Sequence, residues 1–433
     1  MKKPQKTYLT RIPAGSAAAV HLAVVVACIG LFLLVVRLFP VPPAVDPLEH
    51  WRIAGDLSLY SKGGVMITVY SVLQGLEPHI AAALVNTASF AVIGILLLLP
   101  ADVRKKTLQT QYLFTAVTLL LGLWLSGFAP LVATELPHLA FGLLAIRIMI
   151  HILLNGPSWL AVVGAAAAGA ASVSIRLQTM LPVLFILTAV SGYVVLKRIR
   201  LTRSVVACIA VLILSVTGGR LIDAVYRMGS QVPERLAAHE MQVALNGVTP
   251  GQCGLNTRAG TAYLAEPLET GKGVPQAYVE LFSQQTPKDL AANYACKLDY
   301  WLSLRGSSWI MVSRHLNPLY SEDFEEVRNT NSSPMIRAAL HLEAVTGTIL
   351  YLIMIVLAVL LFKEKRSSLG RLLLLGSLLL FSGYTMQHMI IEINTRYIVP
   401  PMVFSLYLLL YGYALRDRSV KKIAEGSEKS VNK

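Results

Sequence analysis

Charge is what this chain has least of. Only 14% of its 433 residues are charged, against 55% hydrophobic, a balance far from that of a soluble domain of this length. Histidine and cysteine are equally uninformative about metal. His138, His151, His315, His341 and His388 fall in separate segments, and two of the four cysteines, Cys28 and Cys208, sit inside apolar runs, so no zinc-ligand spacing is present and no metal site is assigned. Phosphate loops, dinucleotide fingerprints and Ser-His-Asp signatures are absent, which removes the usual soluble nucleotide-binding and hydrolase chemistries. The formal charge of +14 invites a nucleic-acid partner, but the basic residues cluster at the ends of apolar runs rather than along one face, and nucleic acid is excluded as a partner.

Long apolar stretches are there in abundance. A helix needs roughly 17 to 25 apolar residues to cross the hydrocarbon core, and ten runs qualify: 17–39, 79–100, 110–129, 132–153, 158–175, 177–196, 204–221, 339–362, 369–386 and 398–415. The basic clusters 2–11, 104–106, 197–203, 363–371 and 416–422 then all fall on one side, as the positive-inside rule requires. The expectation is an all-α polytopic protein of the cell (inner or plasma) membrane, with about ten spans and both termini cytoplasmic. The first run is long and lacks a small-residue cleavage site, so it reads as a retained helix rather than a signal peptide.

The spans divide the chain into an N-terminal transmembrane module (1–219), an extracytoplasmic domain (220–336), a C-terminal transmembrane module (337–418) and a cytoplasmic tail (419–433). Cys253 and Cys296 both lie in the external domain, where oxidation is permitted, so they are the disulfide candidates. A shorter external loop, 40–78, carries Asp46 before Pro47, a pairing that suits a helix N-cap. The helix after it reads as lying on the membrane surface, and a second amphipathic piece, 65–76, follows Tyr60-Ser61-Lys62-Gly63-Gly64; two interfacial helices of this kind would roof a cavity at the bilayer edge. Asp46 is open to two readings here, a cap or a reactive carboxylate.

Three further charged features fall on the same external side: Thr134-Glu135-Leu136-Pro137, Ile175-Arg176-Leu177, and Glu392-Ile393-Asn394-Thr395-Arg396-Tyr397 before Pro400. Ionisable groups at the edge of a bilayer cost several kcal/mol unless a partner or cavity receives them. Each has an ordinary alternative: Glu135 can cap the helix ahead of Pro137, Glu392 can pair with Arg396 along one helix, Tyr397 can anchor at the interface, and His388 can be a solvated interfacial histidine.

Taken together, the order and sidedness of Asp46, Glu135, Arg176 and the Glu-x-x-x-Arg-Tyr-x-x-Pro segment resemble polytopic glycosyltransferases of the GT-C class, most closely bacterial relatives of protein O-mannosyltransferases and aminoarabinose transferases. The resemblance covers residues 1 to about 200 and 339 to 415. It implies a GT-C-like fold and transfer of a sugar from a polyprenyl-phosphate donor to an extracytoplasmic glycan, lipid or protein. It also implies Asp46 as the inverting general base and Glu135 as a second acidic site. A base is needed to take the acceptor hydroxyl's proton, and positive charge to stabilise the departing phosphate; Arg396 and Arg176 are the candidates for that charge, with Lys62 weaker. Glu392, Tyr397, Tyr60 and His388 are candidates to line the cavity. Many members of the class show paired acids where this chain has Asp46 alone, so a divalent metal is not required by the sequence. A lipid-linked glycan polymerase or ligase, or a lipid or solute transporter, are the rival readings; the lack of an inverted repeat argues against the last.

Overall fold

The computed structural model describes residues 14–39, 54–56, 63–98, 108–176, 203–228, 244–249, 273–302, 308–309, 312, 334–363, 368–391 and 395–415. Asp46, Tyr60, Lys62, Cys253, Glu392 and the expected sixth span (177–196) lie outside the described residues. Every regular element among the described residues is helical: α1 (Ala14–Leu38), α2 (Gly64–Val72), α3 (Pro78–Leu96), α4 (Leu108–Leu125), α5 (Glu135–Asn155), α6 (Trp159–Ile175), α7 (Arg203–Arg227), α8 (Val274–Gln284), α9 (Pro287–Leu302), α10 (Pro334–Lys363), α11 (Ser368–Ile390) and α12 (Val399–Ala414), with 3-10 turns at Ser126–Phe128 and Thr395–Ile398. Eight of these helices are long and apolar enough to cross a membrane, and α6 is a shorter apolar one. The chain is a multi-pass, all-α membrane protein.

Helix ends follow local chemistry. α5 stops at Gly156, whose φ of 91° suits a residue with no Cβ, and Pro157 cannot continue it. Ser158 then caps α6, its hydroxyl accepting from the Ala161 N–H at 3.2 Å. α6 is rich in Ala and Gly, and this lets α7 approach closely: a Cβ at Gly169 would collide with Ser215, and one at Gly219 with Val173. Small residues are how helices pack where water supplies no hydrophobic drive. The register 169 to 215, 170 to 218 and 173 to 219 shows that α6 and α7 run parallel.

At the centre lies α12, packed against α5, α10 and α11 and buried along nearly its whole length. Phe404 fills the notch left by Gly142 of α5. Arg147 of α5 turns its guanidinium over the Tyr411 ring of α12, 4.8 Å from the centroid.

The amphipathic piece expected at 65–76 packs one flank on the bundle and leaves Val72 and Leu76 exposed. Its helical part is α2, and Met66, Ile67 and Tyr70 are buried against neighbouring helices. Asp223 of α7 fixes this packing by accepting from Ser174 Oγ of α6 at 3.0 Å and from the Gly64 N–H at 3.4 Å. Cys296 on α9 is disulfide-bonded, while Cys28 and Cys208 are free and buried.

Candidate functional site

Glu135 opens α5 and is completely buried. The turn that delivers it is held from α3, where Asn86 donates through Nδ2 to the carbonyls of Phe128 and Leu131, each at 2.7 Å. A carboxylate in the first turn also faces the positive end of its own helix. One turn on, His138 shares the buried face, and its Nδ1 lies 3.0 Å from the Ser172 carbonyl of α6. That carbonyl also accepts the Arg176 N–H at 3.2 Å, so the end of α6 is fixed against α5. The result sends Arg176 to Glu135: Nη1 donates to Oε1 at 2.6 Å.

A second guanidinium arrives from far along the chain. Arg396, in the 3-10 turn before α12, places Nε 3.6 Å from the same Oε1, within range of charge attraction and beyond a direct hydrogen bond. Both arginines stand over the ring of Tyr397, with centroid distances of 5.3 Å for Arg176 and 5.6 Å for Arg396. Tyr397 in turn stacks on His388 at 4.7 Å, and Trp301 of α9 lies 5.4 Å from the same imidazole. His388 is therefore a buried member of an aromatic stack, not the solvated interfacial histidine expected. Tyr397 is buried beneath two cations, not an interface anchor. Arg396 has a long-range acidic neighbour in Glu135, whatever Glu392 does.

The site keeps unused hydrogen-bonding capacity. Among the described residues Glu135 Oε2, His138 Nε2 and the Tyr384 hydroxyl are buried without a hydrogen-bond partner, an arrangement that usually marks a place for a ligand or ordered water. His138 and Tyr384 also line a cavity of about 210 Å³ between α5, α6, α7, α11 and α12. Apart from these two groups, Ser172 and Ser215 its walls are apolar, including Met149, Leu212, Leu380 and Leu408, and they extend down the spans as far as Leu153 and Val205. Burial first, and then the Glu135 charge, push the Tyr70 phenol above its ordinary range, which places Tyr70 of α2 in the electrostatic field of the same cluster.

The structure thus brings together Glu135, Arg176, Arg396, Tyr397 and His388 of the residues singled out in the sequence. Asp46, Lys62, Tyr60 and Glu392 lie outside the described residues, and Cys296 is elsewhere, on α9. Tyr70, His138 and Tyr384 were not anticipated, and Trp301 stood out only as one of several aromatics in the 220–336 segment that could form a carbohydrate-binding face. For His138 a signal existed, the three-residue spacing from Glu135 that puts both on one helix face; the other three meet the site only through packing. Among the described residues no group of three His, Cys, Asp or Glu could hold a metal ion. No protein-family model, curated protein or solved structure matches this chain.

Proposed function

We propose that the protein is a membrane glycosyltransferase that moves a sugar from a polyprenyl-phosphate donor to an extracytoplasmic acceptor, with inversion. The observation that carries this reading is the convergence of Arg176 and Arg396 on one buried carboxylate. Two guanidiniums and one carboxylate leave a net charge of +1 in a site shielded from water, which matches the single negative charge of a sugar phosphodiester. As the glycosidic bond breaks, the phosphate gains a second negative charge, and fixed guanidiniums stabilise that gain most in a low-dielectric setting. Arginine suits the task because it stays protonated when buried and grips phosphate oxygens in a planar fork.

The apolar cavity beside the cluster supports a lipid-linked substrate, since it offers one hydrocarbon chain a path into the bundle with its polar end at His138 and Tyr384. Glu135 Oε1 orients the arginines, and Oε2 is available to a sugar hydroxyl. The proton of the acceptor hydroxyl falls to Asp46, as the likeness to GT-C enzymes implies. In this reading the Glu135 end of the bundle is the extracytoplasmic one, on the side opposite the basic clusters.

Transfer of labelled sugar from a panel of polyprenyl-phosphate donors, in membranes holding wild type, Asp46→Asn or Arg396→Ala at matched expression, tests the proposal. Activity in wild type and its loss in both variants supports it. Robust transfer by Asp46→Asn removes the base, and no transfer by wild type with any donor turns the reading toward a polymerase, ligase or transporter.

A further inference from the structure

The two external helices α8 and α9 are fastened to the end of a membrane span. A helix leaves its last carbonyls without intrahelical donors, and at the end of α11 these are met from outside: Lys297 Nζ donates to Met389 O at 2.7 Å and Ile391 O at 3.1 Å, and Tyr278 Oη donates to Ile390 O at 3.0 Å. Gly247 lets a third external segment press on the same point, because a Cβ there would strike the Ile390 and Ile391 backbone. The height of α8 and α9 along the bundle axis is therefore set by the last turn of α11.

That turn also has a lipid-facing flank. Met386 and Ile390 are 55% and 51% exposed, on a helix apolar enough to span. On α9 the buried stripe runs Asn293, Lys297, Trp301, with Lys297 and Trp301 against the end of α11 and Asn293 against the Gly247 carbonyl, and the row beside it, Leu298 and Leu302, is exposed. On α8, Ala277 and Leu281 are buried, whereas Val279 and Phe282 are exposed, and Phe282 stacks with Tyr278. Burial and then the charge of Tyr294 on α9 push the Tyr278 phenol up to about 12, and both helices reach the same carbonyls at the end of α11, α8 through Tyr278 and α9 through Lys297. An apolar edge with tyrosines at the level where a span ends is the composition of a membrane interface.

We propose that α8 and α9 lie in the headgroup layer at the Glu135 end of the bundle, with the edge formed by Val279, Phe282, Leu298 and Leu302 in contact with lipid as a continuation of the outer flank of α11. The external helices are then a membrane-bound collar around the site rather than a domain projecting into solvent. Continuity with Met386 and Ile390 is what selects lipid as the occupant.

The test uses the full chain in phospholipid vesicles, with Cys28→Ala and Cys208→Ala removing the free thiols and nitroxide labels placed singly at Val279→Cys, Leu298→Cys, Gln276→Cys and Asp299→Cys. These positions are exposed, so the labels leave the packing intact. At 279 and 298 collisions with oxygen should exceed those with a water-soluble nickel chelate several-fold, with the reverse order at 276 and 299. Equal nickel access at all four sites would put the edge in water and overturn the proposal. Exclusion of both reagents at 279 and 298 would also overturn it, since a second copy or another protein would then cover the edge.

Discussion

Glu135 and Glu343 are both buried acids near the same end of the bundle, 0% and 1% exposed, yet their surroundings differ in kind. Glu135 meets two guanidiniums from distant parts of the chain and keeps one oxygen unused. Glu343 of α10 accepts from the N–H and the hydroxyl of Ser308, and Ser308 fits beside Gly127 only because that residue has no Cβ. Next to Ser308, Trp309 packs edge-on against Phe39, just after α1, at 5.2 Å. The first acid belongs to a charged network beside an apolar cavity. The second is an anchor that ties the short turn at Ser308 and Trp309 into the bundle. Burial of a carboxylate is thus no mark of function by itself; what separates the two is the sign and number of the charges around them.

Several experiments break or sharpen this contrast. The largest effect is expected for Glu135→Gln, which strands two buried cations and should destabilise the protein by about 3–5 kcal/mol, read from thermal unfolding in detergent; a change no greater than for Glu343→Gln would erase the distinction. Arg176→Ala and Arg396→Ala should each lower sugar transfer by about 10²–10³-fold, as removal of a positioned charge donor does elsewhere, with the loss in kcat. Gly376→Leu fills the cavity from α11, where a Cβ makes only an ordinary 3.7 Å contact with Leu408; it should raise KM for a lipid-linked donor by about tenfold, the worth of some 1.4 kcal/mol, and leave short-chain donors less affected.

A pH effect follows from Lys297, whose ammonium is pushed down to about 7 by burial against the end of α11. Between pH 7 and the free amine's 10.5 the docked state binds fewer protons than the undocked one. Docking of α9 is therefore favoured by rising pH in that window, by at most about 1.4 kcal/mol per unit, and the penalty is fully present below it. Protease susceptibility of the external helices should fall from pH 7 to 9 in wild type and show a flatter trend in Lys297→Met. The smallest effect is expected for Glu343→Gln, whose amide oxygen still accepts from Ser308; stability should change by less than about 1 kcal/mol and transfer activity by less than about twofold.

Much of the architecture is legible in the residues. Apolar runs of spanning length predicted the positions of α1, α3–α7 and α10–α12, because crossing the hydrocarbon core demands length and apolarity and little else. The extra turns observed at Pro334–Ala338 of α10 and at the end of α11 contain charged or polar residues that a search for apolar runs discards. Ionisable residues at span ends pointed to Glu135, Arg176 and Arg396 for a similar reason: charge is so costly there that each instance stands out.

Chain order and composition by themselves determined that this is a helical membrane protein and where its costly charges lie. Only the tertiary structure decided that Glu135, Arg176 and Arg396 meet, that His388 and Tyr397 stack beside Trp301, and that Glu343 serves an anchoring turn instead. The physical reason is one of range. Span length is a property of about twenty consecutive residues, whereas a meeting of residues 135, 176 and 396 depends on how α5, α6 and α12 pack through their small residues and buried rings, and no local pattern carries that information.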